Sequence, residues 1–150
     1  MRLALFQPDI PQNVGAAIRL CACLNVGLDI IEPCTFRLDD RSLKRAALDY
    51  GPLAHVTRHE SWAAFHASLA PAQPLVLLTT KAEALFPDFA FGPDDIILMG
   101  SESAGVPDAV HQTATARLRI PIAKAARSLN VVTAATLALG EALRQNNAYP

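Results

Sequence analysis

The chain carries only three cysteines, Cys21, Cys23 and Cys34, in 150 residues. Their number is odd and their spacing matches no zinc-binding pattern, so reduced thiols serving as small apolar side chains are expected rather than disulfides or a metal centre. On a helix Cys21 and Cys23 point about 200° apart, which prevents them from sharing a metal. His55, His59, His66 and His111 form no ligand motif and read as surface or hydrogen-bonded structural residues. No apolar run approaches the roughly 20 residues that a membrane-spanning helix needs. Met1-Arg2-Leu3 passes straight into strand-like sequence without a signal-peptide hydrophobic stretch, so a cytoplasmic protein with no membrane partner is expected. An excess of one charge is also missing: the net charge of −1 by itself indicates no polyanionic partner.

Glycine is sparse where nucleotide-binding motifs would demand it. The segment Gly100-Ser101-Glu102-Ser103-Ala104-Gly105 lacks the third glycine of a dinucleotide fingerprint and the Lys-Ser/Thr of a phosphate-binding loop. It is no nucleophile elbow either, because the glycine required two positions before Ser103 is Ser101. A serine hydrolase is disfavoured, since the histidine partner is missing as well.

What is present is an apolar content of 51% with 18% charged residues, enough for one domain over residues 1–150 with a sizeable core. Leu3 to Phe6 and Leu28 to Ile31 read as buried strands. Between them, Pro11 and Asn13 precede a helix with Val14, Ala17, Ile18, Cys21 and Leu24 on one face, stopped at Gly27. Asp39-Asp40 are placed to cap a short basic helix over 41–49. A short strand near Ala54 to Arg58, a helix over Ser61 to Leu69, and strands at Leu75 to Thr80, Ile96 to Met99 and Leu118 to Ile120 follow. A last helix, about Leu129 to Asn146, presents Leu129, Val132, Thr136, Leu139 and Leu143 to a core. A second stripe of Ala134, Ala138 and Ala142 permits close approach of another helix, within the chain or across a dimer. This alternation predicts an α/β fold with a mostly parallel sheet, helices on both faces and ligands outside the carboxyl ends of the strands.

Two strand exits converge on that edge. Gly100 and Gly105 permit positive φ and close backbone approach, while Ser101, Glu102, Ser103, Ser128 and Asn130 supply hydrogen-bonding groups. Arg37, Arg41, Lys44 and Arg45 form one basic cluster, and Arg117, Arg119, Lys124 and Arg127 a second.

Several segments in order resemble the SPOUT superfamily of S-adenosylmethionine-dependent RNA methyltransferases, and within it the small tRNA 2′-O-methyltransferases of the TrmL type. They are Leu5 to Gly15 with Ile18 to Ala22, Ile31-Glu32-Pro33, Arg45 to Tyr50, Gly100, Ile120-Pro121 and Arg127-Ser128-Leu129-Asn130. The resemblance implies a deep trefoil knot from about Thr79 to the final helix, a bent S-adenosyl-L-methionine in that knot, and a homodimer as the working unit. The product would be S-adenosyl-L-homocysteine. No metal is implied, because a sulfonium leaving group needs no Lewis acid.

Carried over by position, the resemblance places the cofactor against Leu78, Thr79, Gly100, Glu102, Ile120, Ser128, Leu129 and Asn130. It assigns chemistry to Arg19, with Asn13, Ser128 and Asn130 in the same catalytic set. Methyl transfer to a ribose needs the 2′-oxygen in line with the sulfonium methyl and its developing charge stabilised. A guanidinium serves that purpose better than it serves as a base, given a pKa above ~12. Asn13 also has a structural reading as helix N-cap, and Tyr50 as a stacking or interface residue. The implied substrate is the wobble ribose, cytidine or uridine 34, in the tRNA anticodon stem-loop, whose phosphates would use the basic clusters. Relatives usually carry Ser and Asn where this chain has Val132 and Thr133. That departure keeps a non-catalytic RNA-binding module, or a 2′-O-methyltransferase of another RNA, as alternatives.

Overall fold

The computed structural model describes residues 1–37 and 48–150. The expected cap at Asp39-Asp40, most of the basic helix over 41–49, and Arg41, Lys44 and Arg45 lie outside the described residues. In chain order the elements are β1 (Arg2–Phe6), α1 (Pro11–Leu24), β2 (Gly27–Ile31), a 3-10 turn (Leu48–Leu53), β3 (Val56–His59), α2 (Trp62–Ala67), β4 (Leu75–Leu78), a second 3-10 turn (Phe86–Asp88), β5 (Ile96–Met99), α3 (Asp108–Thr113), β6 (Ala116–Leu118) and α4 (Val131–Gln145).

Among the described residues the strands form one six-stranded sheet in the order β3-β2-β1-β5-β4-β6, and every pairing is parallel. The apolar runs follow from this, because strands covered on both faces have no solvent side on which to alternate. One face packs Leu3, Leu28, Val76 and Ile97 under Val14, Ile18 and Cys21 of α1 and Ala138, Leu139 and Leu143 of α4. The other packs Phe6, Ile31, Leu77 and Leu98 under Phe65 of α2 and Val110 of α3. Each of the Val, Leu, Ile and Phe side chains among them contributes about 1.5–3 kcal/mol of burial.

Several element boundaries differ from the sequence-based expectation. Asn25, in the left-handed region at φ 52°, ends α1, and Gly27 instead opens β2. β4 stops at Leu78, where Thr79 turns to bind the Leu118 carbonyl. β6 lies two residues earlier than expected. Thr115 N–H donates to the Leu75 carbonyl, while Arg119 leaves the sheet and exchanges bonds with Ala84 and Phe86, so Ile120 is released from strand pairing. α3 was not anticipated, because its six residues are too few for a 3.6-residue period to register.

α4 begins at Val131 and buries Ala135, Ala138, Leu139, Ala142 and Leu143. Leu129 and Thr136 are exposed rather than part of its core stripe. Ala138 and Ala142 are fully buried in the layer that α4 shares with α1. The small-residue stripe is therefore used largely inside the chain, where short side chains let the two helices pack on one sheet face.

His59 is structural, as expected. Its Nε2 lies 2.7 Å from Asp29, which also accepts from Arg2 Nε at 2.7 Å. Asp29 is 1% exposed, and a carboxylate so buried requires such partners. Among the described residues no helix is long and apolar enough to cross a membrane.

Candidate active site

The carboxyl ends of β4, β5 and β6 open into a cavity of about 590 Å³, within the range typical of small-molecule sites. Leu78, Thr79, Gly100, Glu102, Ile120, Ser128, Leu129 and Asn130 all line it, and so does Asn13. Parallel pairing accounts for the convergence, since it puts every strand's exit on one edge of the sheet. The walls are apolar at Leu78, Met99, Ile120 and Leu129, and polar at the loop backbones and at Ser128.

The two glycines of the β5 exit act differently. Gly105 has φ +71°, as expected of a position requiring glycine. Gly100 does not have positive φ. It is required by proximity, because a Cβ there would lie 2.6 Å from the Gly105 carbonyl carbon and 2.7 Å from its Cα. Ser101 and Gly105 exchange both backbone hydrogen bonds, at 3.0 and 2.9 Å, closing a tight loop. Ser101 Oγ stays within that loop, and Ser103 Oγ donates to Asp9 at 2.5 Å. These two hydroxyls hold the loop rather than face a ligand.

Glu102 is held from α1 and from the segment that leads into it. Its carboxylate accepts from Asp9 N–H at 2.8 Å and from Asn13 Nδ2 at 2.7 Å. Asn13 Oδ1 accepts from Asn130 Nδ2 at 2.9 Å. Asn130 Oδ1 in turn caps α4 by accepting from Val132 N–H at 2.9 Å and Thr133 N–H at 3.2 Å. Asn13 is therefore not an N-cap: Ile10 holds that position with no side-chain bond, and Pro11 occupies the first turn. Freed from capping, the buried Asn13 amide ties the β5 loop to the α4 loop.

Arg19 is the predicted residue that the cavity does not contain. It lies on the exposed face of α1, with its Cζ 5.2 Å from the centroid of the Tyr50 ring, an attractive cation–π distance. Val132 and Thr133 are likewise absent from the cavity wall, where Val131 and Ala134 stand instead. The departure from the family pattern thus falls beside the cavity wall, with Val132 half-buried against the core and Thr133 exposed. Burial pushes the Cys21 thiol up to about 12, and burial followed by the nearby Glu32 charge pushes Cys34 up to about 11. Both stay protonated and weakly reactive near neutral pH.

Sequence reasoning missed Ile10, Lys81 and His111 as site residues, and it gave Arg119 and Arg127 no site role beyond a basic cluster and, for Arg127, the resemblance segment Arg127 to Asn130; all five line the cavity. Lys81 and Arg119 were detectable in principle, since Arg119 directly follows β6 and Lys81 lies three residues after β4. Ile10 and His111 carry no such signal.

The chain belongs to the SpoU rRNA Methylase family, whose model matches residues 1–140. This agrees with the resemblance carried by the Leu5 to Gly15 and Arg127 to Asn130 segments. Among its relatives, a tRNA (cytidine(34)-2'-O)-methyltransferase from Beijerinckia indica is 56% identical over 144 residues, covering 95% of this chain and 90% of that protein. The protein of the same name from Escherichia coli is 37% identical, over 97% of this chain and 93% of its own length. A solved structure described as structural insights into the 2-OH methylation of C/U34 on tRNA superposes with a TM-score of 0.94 at 38% identity, covering 97% of this chain and 95% of that one. The SpoU methyltransferase AviRb from Streptomyces viridochromogenes, solved in complex with AdoMet, gives a TM-score of 0.84 at 28% identity. That match covers 98% of this chain and 60% of the AviRb chain.

Proposed function

We propose that this chain is an S-adenosylmethionine-dependent tRNA 2′-O-methyltransferase that modifies the ribose of the wobble nucleotide, cytidine or uridine 34. The observation that carries this reading is the convergence of Leu78, Thr79, Gly100, Glu102, Ile120 and the Ser128 to Asn130 segment on one cavity. Their chemistry fits adenosylmethionine: Leu78, Ile120 and Leu129 provide flat apolar walls for adenine, and the loop amides and carbonyls provide its hydrogen-bond partners. When bound, the cofactor supplies an electrophilic methyl group on a sulfonium.

The chain's own residues do the rest. Gly100 and Gly105 keep the β5 loop close enough to shape the cavity, and the bonds from Asn13 to Glu102 and from Asn130 to Asn13 fix its two sides relative to each other. Ser128 supplies a hydroxyl at the cavity wall. Arg19 orients the ribose and stabilises the charge that develops on its 2′-oxygen. Because Arg19 faces outward from α1, it reaches a cavity only across an interface between two copies, so the working unit is a homodimer. The surface for that interface lies on α1 and α4, which share one sheet face. There Leu137 is 44% exposed, and Thr133 and Thr136 are exposed beside it on α4.

The 150 residues act as one SPOUT domain, knotted through its final helix. The connection from β4 to β5 supports this threading by grasping both sides of the path: Ala84 and Phe86 bond Arg119, while Phe89 and Phe91 bond Gln145 of α4. The enzyme works in the cytoplasm, where tRNA is found. Labelled methyl transfer to unmodified tRNA, followed by nuclease digestion and mass spectrometry, tests the function. A 2′-O-methylated nucleotide 34 is expected, and cofactor binding without incorporation into any tRNA overturns it.

A further inference from the structure

The described cations divide into two groups. Arg2, Arg58 and Arg144 pair with Asp29, Glu32 and Glu141, Arg117 donates to the His111 carbonyl, Arg19 lies over Tyr50, and Arg37 is engaged as well. Lys81, Arg119, Lys124 and Arg127 are exposed and make no side-chain hydrogen bond or ion pair among the described residues. All four sit on the loops that follow β4 and β6, and Lys81, Arg119 and Arg127 line the cavity.

These cations are poorly suited to the cofactor. Adenosylmethionine carries a sulfonium, an ammonium and one carboxylate near neutral pH, a net positive charge. Around it stand three unpaired cations, while the carboxylate of the wall, Glu102, is already occupied by Asp9 and Asn13. Converging unpaired cations raise the local potential and favour a polyanion over a cation. Hydrogen bonds also tether the backbone at two of the three positions. Lys81 N–H donates to Thr79 Oγ1 at 3.2 Å, and Arg119 is held by Ala84 at 2.8 Å and by Phe86 at 3.0 Å. Because β4 pairs with β6 up to Leu78 and Leu118, the loops carrying Lys81 and Arg119 leave the same edge of the sheet, and both residues line the cavity.

We infer that Lys81, Arg119 and Arg127 form the seat for the phosphates of the RNA next to the target ribose. The inference rests on the functional reading above and identifies where its substrate lies. An RNA backbone running across the mouth from the β4 loop to the loop before α4 neutralises these charges and delivers a ribose to the cavity. Phosphate contacts of this kind position the strand without reading its sequence.

The test measures binding of an unmodified tRNA transcript between about 50 and about 200 mM salt, with adenosylmethionine affinity measured in parallel by calorimetry. Lys81→Ala and Arg119→Ala should each lower the slope of log affinity against log salt by about 1, with cofactor affinity equal to or tighter than wild type. Arg119→Lys should keep the slope, because a phosphate accepts either point charge. Arg58→Ala, a paired cation on β3 at the far edge of the sheet, is the control and should not change it. Unchanged slopes in the two alanine variants overturn the inference. So does a severalfold loss of cofactor affinity, which would assign these cations to the cofactor's carboxylate. A wild-type chain that binds cofactor but neither binds nor methylates tRNA removes the functional reading itself, whereas an unchanged slope in an active enzyme removes this inference alone.

Discussion

Asn13 and Asn130, 117 positions apart, share a 2.9 Å hydrogen bond in which Asn130 Nδ2 donates to Asn13 Oδ1. The bond joins the first turn of α1 to the cap of α4. Because Asn13 also donates to Glu102, it makes one unit of the two loops that face each other across the cavity.

Replacing Asn13 with Ala leaves a half-buried carboxylate and an amide without their partner. A loss of about 1–3 kcal/mol in unfolding free energy is expected, together with weaker adenosylmethionine binding. Asn13→Asp keeps the size but sets a second carboxylate against Glu102, and it should be the worse variant near neutral pH. Chemical denaturation and calorimetry decide the matter, and wild-type values in both variants would remove the linking role.

The two glycines of the β5 loop predict unlike defects. At Gly105 a Cβ meets nothing within 4 Å, so Gly105→Ala carries only the left-handed backbone cost of about 1–2 kcal/mol. At Gly100 the added carbon collides with the Gly105 backbone and forces the loop open. Gly100→Ala should therefore lose cofactor affinity more steeply than Gly105→Ala, and equal losses would contradict the geometry.

Arg19→Ala should leave the melting temperature near wild type, because the side chain is exposed. Methyl transfer should drop by about 10²–10³-fold, the usual consequence of removing one donor from a developing oxyanion. Arg19→Lys should recover part of the rate. Full turnover in the alanine variant would show that the guanidinium has no part in the chemistry.

The Glu141 carboxyl is held down to about 2 by its hydrogen bond from Arg144, and next by one from Gln145. A folded value below the ordinary 4.5 means its contribution to stability is complete above about pH 4.5 and disappears as pH falls toward 2. Thermal melts of wild type and Glu141→Gln should differ most near neutral pH and converge through that window. The gap should also shrink with salt, because the pair is exposed. A gap independent of pH would rule out the ionic contribution. The pair matters to architecture because Gln145 also clasps the connection from β4 to β5 through Phe89 and Phe91.

Much of this was legible in the chain itself. Ile96 to Met99 forms β5 as expected, because a short apolar run bounded by Asp95 and Gly100 has few other ways to be buried. That the loops after β4, β5 and β6 share one edge is legible because parallel strands expose their carboxyl ends on one side, whereas the individual cavity residues Leu78, Ile120 and Leu129 come from the family resemblance. For Asn13 the sequence leaves a site role and an N-cap role both open, because Asn near a helix start is ordinarily satisfied by local N–H groups, and nothing nearby signals a partner at Asn130. Leu129 and Thr136 were assigned to the α4 core by period alone, which cannot detect that the helix starts later and turns its alanines inward.

The sequence by itself determined the longer strands and helices, though not α3 or the bounds of β6, together with which strand ends carry the ligand loops and which family the chain resembles. Burial pattern and residue chemistry are local properties, and they survive in a string of letters. Only the tertiary structure decided that Asn13 links Glu102 to Asn130, that Gly100 is required by the nearness of Gly105, that Ile120 is released into the cavity, and that Arg19 points away from it. Each of these depends on the distance between groups far apart in the chain or on the rotation of a helix about its axis, and neither is encoded in spacing.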